Sequence, residues 1–276
     1  MKGRDSTYNI QYTSLGIEAE IERLKTQVNM GWQKEFRQLQ WYGLQDGMNV
    51  LELGSGPGFF TKQLALNLPL CQITALEIDG TLLAKSKQTM ASIRESRLQF
   101  VQASVYETGL PSNSFDFAIA RLLFLHLHHP VDAAKEIFRV LKPGGRLAII
   151  DIDDGIFGVI QPEIDSLHTI VKKLADLQAS QGGNRYLGRT LPRLFNSAGF
   201  GNVEVDAILQ HSDIQGLDGF KEQFNIQRFK GLYEKGILLP DEFEQIKNAS
   251  ERLHTSENAY AMLTFFMGCG TKPNTA

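Results

Sequence analysis

Five short runs of apolar and β-branched residues, Asn49–Leu53, Gln72–Glu77, Leu98–Gln102, Phe115–Ala120 and Arg146–Asp151, alternate with helix-like stretches that open at Phe59, Gly80, Val131 and Pro162. Such alternation predicts parallel strands. Each strand must be carried back to the same edge by a crossover, and the crossover helices then cover both faces of the sheet. Turn chemistry marks the boundaries, with "QDGM" before the first run and "KPGG" before the fifth. Two further strands are expected in "VEVDAILQ" and "AYAMLTFFMGCG", separated by a charged, helix-prone segment from Asp218 to His254. Residues 1–45 read as largely helical, with Ile17, Ile21, Leu24 and Val28 at helical spacing. The expected fold is therefore α/β, a mostly parallel seven-stranded sheet with helices on both faces and with N-terminal and late helical additions. Its divisions are a helical cap at 1–45, a core at 46–209, a helical insertion at 210–258 able to act as a lid, and a last core strand within 259–276.

Composition narrows the partners. A chain of 276 residues with 42% hydrophobic content can bury a sizeable core. A formal charge of −3 and a pI near 6.1, without any Lys/Arg block, give no general attraction to nucleic acid or to an anionic membrane. No stretch approaches the ~20 apolar residues of a bilayer span, and the polar opening "MKGRDSTYNIQYTSLG" lacks an apolar leader core, so a cytoplasmic monomer or homodimer is expected. Cys71 and Cys269 are far apart and form no CxxC pair, which suits buried thiols rather than a disulfide framework or a zinc site. The histidines of "FLHLHH" have no carboxylate or cysteine at ligand spacing, so no metal is expected there.

The densest glycine cluster sits at the first strand-to-helix junction. In "NVLELGSGPGFF", residues 49–60, Gly54-Ser55-Gly56-Pro57-Gly58 separates the strand from a helix opening near Phe59. Glycine adopts left-handed backbone and carries no β-carbon, so a ligand can lie against such a loop and the helix N-terminus behind it. A dinucleotide fingerprint, GxGxxG, would put its third glycine where Phe59 stands; this chain has GxGxG. The second strand ends in "TALEID", placing Glu77 where a carboxylate can accept both hydroxyls of a ribose. Taken separately, a plain tight turn and a solvated strand-end acid would also account for these residues.

"VLELGSGPG" resembles the first motif of the class I S-adenosylmethionine-dependent methyltransferases, including the acid two residues before the first glycine, here Glu52. "EIDGTLLAKSK" is similar to the second motif, "VQASVYETGLPSNSFDFAIARLLFLHLHHP" to the third and fourth, and "EIFRVLKPGGRLAIID" to the fifth strand and its approach. Within that family the chain most resembles the ubiquinone/menaquinone-biosynthesis-like small-molecule methyltransferases, with "GRTLPRLFNSAGF" and "FMGCGTKP" as looser later matches. The resemblance implies S-adenosylmethionine as cofactor, S-adenosylhomocysteine as product, and the Rossmann-like version of the α/β fold.

It also implies a cofactor site. Glu52 is expected near the amino group of the methionyl part, while Gly54, Ser55, Gly56, Pro57 and Gly58 let the cofactor pass close to the backbone. Glu77 takes the ribose and Ile78 lies against the adenine. Ala103 and Ser104 stand where the commoner Gly-Asp pair caps the adenine, so no carboxylate is expected there. Ala120 and Arg121 fall where backbone carbonyls meet the cofactor's amino group. The Arg121 guanidinium could aim at a carboxylate of cofactor or substrate, or form an ion pair elsewhere.

Catalytic residues are less determined. In-line displacement at a sulfonium needs little beyond alignment, which can supply up to ~7–11 kcal/mol. A base is needed only for a protonated acceptor, and His126, after the fourth strand, is the candidate. Tyr8 and Tyr12, with Trp32 and Trp41, could cover methyl and acceptor, since an aromatic face favours a sulfonium; the other reading is the apolar side of a packed helix. There is no [ND]PP[YF] stretch and no Pro-Cys nucleophile, which leaves DNA methylation unsupported and a small organic acceptor expected. The alternatives are a nicotinamide-dependent oxidoreductase on a similar sheet and a non-catalytic binding protein.

Overall fold

The structure is a computed structural model and describes residues 6–8, 16–93 and 95–274. Tyr12, expected near the acceptor, lies outside the described residues. Helix α1 (Ile17–Trp41) leads into strand β1 (Asn49–Leu53), α2 (Phe59–Asn67), β2 (Gln72–Glu77), α3 (Gly80–Thr89), β3 (Leu98–Gln102), β4 (Phe115–Arg121), α4 (Pro130–Val140) and β5 (Leu141–Asp151). The chain continues through β6 (Gly158–Gln161), α5 (Leu167–Ser180), α6 (Leu191–Ser197) and β7 (Gly201–His211). Four helices follow, α7 (Ser212–Gln215), α8 (Asp218–Gln223), α9 (Ile226–Glu234) and α10 (Pro240–Thr255), before β8 (Tyr260–Thr271).

Strands β3, β2, β1, β4 and β5 are parallel neighbours in that order. β8 runs antiparallel against β5, and β7 pairs with the opposite edge of β8. The sheet holds eight strands rather than seven. The extra one, β6, pairs Gly158–Gln161 with the first residues of β8, in line with β5. Four residues are too few to show a period in sequence. The order reverses between β2–β1 and β1–β4, because β1 pairs with both.

The apolar runs look continuous in sequence because both faces of the central strands are covered. Val50, Phe117, Ile119, Ala148 and Ile150 join Trp32, Phe60 and Leu64 in one core. Leu51, Leu53, Ala118, Ala120, Leu147 and Ile149 face the other way, against Ala133, Ala134, Ile137 and Val140 of α4 and Leu191 and Phe195 of α6. Cys71 and Cys269 are buried and free.

Helix α1 is more than an appended cap. Trp32 is buried and stacks on Phe36 at 4.8 Å, whereas Trp41 points outward with 76% exposure, so neither meets a ligand site. Gly219 of α8 lets that helix approach α1, since a β-carbon there would lie 2.8 Å from Met30 Sδ. The strongest tie is ionic. The Arg121 guanidinium at the end of β4 donates to Glu35 Oε2 and Oε1 at 2.7 and 2.9 Å and to the Gln27 carbonyl at 3.1 Å. Arg121 and Glu35 side chains are 8% and 0% exposed. A bidentate pair at that depth is costly to break one side at a time, because the remaining charge is stranded. Arg121→Leu is expected to lose ~3–5 kcal/mol of stability, and Arg121→Leu with Glu35→Leu to recover most of it, as measured by urea denaturation. Equal stability of parent and single variant would show that the pair does not secure α1.

Candidate active site

At the C-terminal ends of β1, β2 and β4, where the strand order reverses, the structure opens into a cavity of about 720 Å³. Its floor is the loop after β1. Gly54, Gly56 and Gly58 have φ of 63°, 54° and 81°, a region that side-chain-bearing residues rarely enter, and each glycine has a further reason. A β-carbon at Gly54 would press on Leu123 at 3.1 Å, and one at Gly58 would sit 2.4 Å from Ser86 Oγ of α3. At Gly56 a β-carbon would meet nothing within 4 Å. Gly54, Ser55, Gly56 and Pro57 line the cavity, while Gly58 is set back and serves the packing of α2 on α3.

Glu77 stands at the end of β2 with 7% exposure. Its Oε2 accepts the Gly56 N–H and its Oε1 the Asp79 N–H, both at 2.9 Å, so each oxygen keeps a free lone pair. Burial raises its pKa against those backbone bonds. Asp79 in turn caps α3, accepting from the Thr81 and Leu82 N–H groups. Ile78, 60% exposed, Ala103 and Ser104 continue the same wall, and the Ala103 N–H donates to the Glu77 carbonyl. Ser104 Oγ accepts the Tyr106 N–H, which closes the turn beyond β3.

Glu52, 3% exposed, also lines the cavity, and its Oε2 has no hydrogen-bond partner among the described residues. Burial pushes its carboxyl up to about 8, with Glu77 adding to the shift and Thr61 and Arg121 opposing it. Ala120 does not reach the cavity; it is buried between Leu53 and Ile149. Arg121 touches the cavity wall, but its guanidinium is committed to Glu35 and is not free for a ligand carboxylate.

The cavity continues away from the glycine loop. His126 and Tyr8 line this second part, with rings 5.4 Å apart. His126 Nδ1 lies 2.8 Å from Thr7 Oγ1 and 3.4 Å from Gln178 Nε2, an amide donor, so the ring presents Nδ1 as acceptor and carries its proton on Nε2. Burial, reinforced by Arg185 and Arg23, drives its pKa down to about 3. At neutral pH it is a neutral hydrogen-bonding group and a weak base. Nearby, Asp151 is fully buried and raised to about 7 by burial, while it accepts the Leu125 and Ile152 N–H groups. It thereby staples the loop after β4 to the end of β5.

Several polar residues of this part escape a motif search. Glu20 and Arg23 of α1 form a buried bidentate pair at 2.6 and 2.8 Å, and Tyr8 OH donates to Glu20 Oε1 at 3.2 Å. Arg185, paired with Asp154, and Arg228 of α9 also line the cavity. The spacing Glu20, Arg23, Gln27 could have shown a polar stripe on one face of α1, but nothing around Arg185 or Arg228 marks them. The remaining wall is apolar, with Phe157 after β5, Ile170 and Leu174 of α5, Phe224 and Phe229, and Leu263 of β8.

Comparisons with known proteins agree with this architecture. The family described as a methyltransferase domain matches residues 51–149. A ubiquinone/menaquinone biosynthesis C-methyltransferase from Cronobacter sakazakii is 28% identical over 175 residues, 58% of this chain and 69% of that protein. The mitochondrial 2-methoxy-6-polyprenyl-1,4-benzoquinol methylase of Caenorhabditis elegans is 22% identical over 213 residues, 71% of this chain and 74% of that protein. Among solved structures, phosphoethanolamine N-methyltransferase 2 of Haemonchus contortus, in complex with phosphomonomethylethanolamine and S-adenosylhomocysteine, superposes with a TM-score of 0.60 at 19% identity. That likeness covers 95% of this chain but only 58% of the nematode one, and it speaks for the fold alone. The glycine loop, Glu52 and Glu77 thus lie within the methyltransferase domain of a chain that is an S-adenosylmethionine-dependent methyltransferase and is similar to ubiquinone/menaquinone biosynthesis methyltransferases.

Proposed function

We propose that the enzyme methylates a small, largely apolar organic acceptor in the cytoplasm, with the cofactor on the glycine loop and the acceptor in the second part of the cavity. One observation carries this reading: the cavity runs without interruption from Gly56 and Glu77 to an apolar chamber roofed by α8 and α9. Phe224, Phe229 and Leu232 of that roof are among its lining residues, which supports a lid role for the insertion. Among the described residues no helix is long and apolar enough to cross a membrane.

The residues fit the cofactor chemically. S-Adenosylmethionine supplies a methyl group already activated on a sulfonium. Glu52 Oε2 is a buried acceptor lacking a donor, and in our reading it holds the cofactor's ammonium. Glu77, whose oxygens are oriented by the Gly56 and Asp79 N–H groups, would accept the two ribose hydroxyls. Gly56 leaves open space where any side chain would stand, and Ile78, Ala103 and Ser104 would flank the adenine. With its guanidinium engaged by Glu35, Arg121 would offer the ligand backbone rather than charge.

For transfer itself the chain needs to align the acceptor and exclude water. α1, α8 and α9 line the chamber, and the Tyr8 ring stands beside His126 in the second part of the cavity. His126, held neutral, would donate from Nε2 to the acceptor rather than serve as its base. This suits an acceptor that arrives deprotonated or loses its proton to water. The reading is tested by incubating the enzyme with methyl-labelled S-adenosylmethionine and a panel of small apolar acids, phenols and amines. Label transfer to a member is expected; binding of S-adenosylhomocysteine without transfer to any member would favour a non-catalytic role.

Two predictions concern the cofactor end. Glu77→Ala is expected to weaken S-adenosylhomocysteine binding by ~1.5–3 kcal/mol in calorimetric titration. Glu77→Gln should lose nearly as much, because its amide NH2 would face a backbone N–H at Gly56 or Asp79 where the parent has an acceptor. Full affinity in the Ala variant would remove the ribose role.

The second follows from the raised pKa of Glu52, about 8. A cationic ligand requires the carboxylate, so below pH 8 binding must expel a proton. S-Adenosylmethionine affinity should rise with pH, by up to about tenfold per unit, and level off above pH 8. Titration in buffers of different ionisation enthalpy should register the released proton near pH 7, and Glu52→Gln should abolish it.

A further inference from the structure

The two ends of the cavity differ in the polar groups they present. Glu52 and Glu77 lie at the glycine loop and form no ion pair among the described residues. At the far end three arginines converge, and two of them are matched: Arg23 by Glu20 and Arg185 by Asp154. Arg228 is not. Its Nη1 donates to the Gln223 carbonyl at 2.7 Å and to Gln223 Oε1 at 3.0 Å, and it forms no ion pair among the described residues. Glu222 acts on it only through space, as do Arg23, Glu20 and Arg185. Part of the Arg228 surface faces the cavity, while burial, assisted by Arg23 and Arg185, lowers its pKa to about 9, leaving it charged at neutral pH.

A second observation is independent of that charge. Gln223 lines the same space, and its Nε2 is buried with no hydrogen-bond partner among the described residues. Beside the unmatched guanidinium, the far end therefore holds an unmet donor. Buried donors left unmet are costly, so a site built this way is completed by acceptor-rich ligand atoms.

We propose that the acceptor substrate is an organic carboxylate, whose acid group is received by Arg228 and Gln223 and whose apolar body fills the chamber between α5 and α9. The assignment deepens the proposed function and rests on it for the position of the cofactor. A single unmatched guanidinium balances one negative charge, and its planar fork of N–H groups matches a carboxylate. A dianionic phosphate monoester would leave charge in excess. The body is recognised by Phe157, Ile170, Leu174, Phe224, Phe229 and Leu263. Polarity along the cavity then fixes direction: the cationic cofactor sits at the acidic end and the acid group of the substrate at the basic one, so the group to be methylated lies between them.

The test uses the whole enzyme saturated with S-adenosylhomocysteine and three eight-carbon probes, octanoate, octanol and octyl phosphate, in calorimetric titration. Octanoate should bind at least tenfold tighter than either of the others. Arg228→Met should cost octanoate tenfold or more, leave octanol unchanged, and leave Tm unchanged or raised, since it removes an uncompensated buried charge. Arg228→Lys, which keeps the charge but loses the fork, should cost octanoate less than Arg228→Met does. Equal binding of octanoate and octanol to the parent enzyme overturns the proposal without recourse to any variant. Tighter binding of octyl phosphate overturns the choice of carboxylate, as does unchanged octanoate affinity in Arg228→Met. The cofactor titration is read separately: S-adenosylhomocysteine should bind parent and both Arg228 variants alike, and its failure to bind the parent would sink the cofactor assignment instead.

Discussion

The carboxylate of Glu77 joins three backbones with two hydrogen bonds. By accepting the N–H groups of Gly56 and Asp79 it fixes the loop after β1 to the end of β2 and to the cap of α3. The loop needs such an anchor, since its three glycines sit at left-handed φ and have the most conformational freedom to lose. The Ser55 N–H donates to the Leu76 carbonyl one residue earlier, and Gly58 brings α2 against Ser86 of α3. The ligand-facing surface of the loop is thus set by contacts on its other side. That is the preorganisation an in-line transfer requires, because alignment is the main thing the protein contributes.

Much of this end was legible in sequence for a physical reason. Close approach of backbone demands glycine, and strand-end position demands a short apolar run before it, so both leave marks in the order of residues. Gly54, Gly56 and Glu77 stand as the spacing implies, whereas Gly58 turns out to pack helices and Ala120 to lie inside the sheet. Arg121 shows the limit. Its position after β4 was readable, but not that Glu35, 86 residues earlier, would claim its guanidinium. At the other end of the cavity Tyr8, His126 and the helical insertion were readable, but Arg23, Arg185 and Arg228 were not, since they come from three separate helices or loops and meet only by tertiary packing. Strand β6 was missed for want of length, because four residues carry no usable period.

His126 illustrates how burial can reverse a reading made from residue type. A histidine after the fourth strand invites the role of base, because its ordinary pKa lies near neutrality. Here burial and the charges of Arg185 and Arg23 make its protonated form unfavourable, and Nδ1 is already used as an acceptor. Arg185 and Arg23, although each is paired with a carboxylate, thus still act on the histidine through space.

The two ends of the cavity also differ in how they are built. The cofactor end is made by the sheet and its immediate loops, whose positions are fixed by strand pairing and two covered faces. The acceptor end is made by α1, α5, α8 and α9, which are bound to that sheet by side chains. Shared folds change substrate by changing such grafted elements. In this enzyme the graft is secured at one point by the Arg121–Glu35 pair, where β4, a strand that ends beside the glycine loop, meets α1, whose Arg23 and Glu20 line the second part of the cavity. A residue placed to bind a ligand carboxylate therefore has a different consequence. It holds one wall of the second part of the cavity in register with the glycine loop, so the spacing between the two parts depends on a buried ion pair.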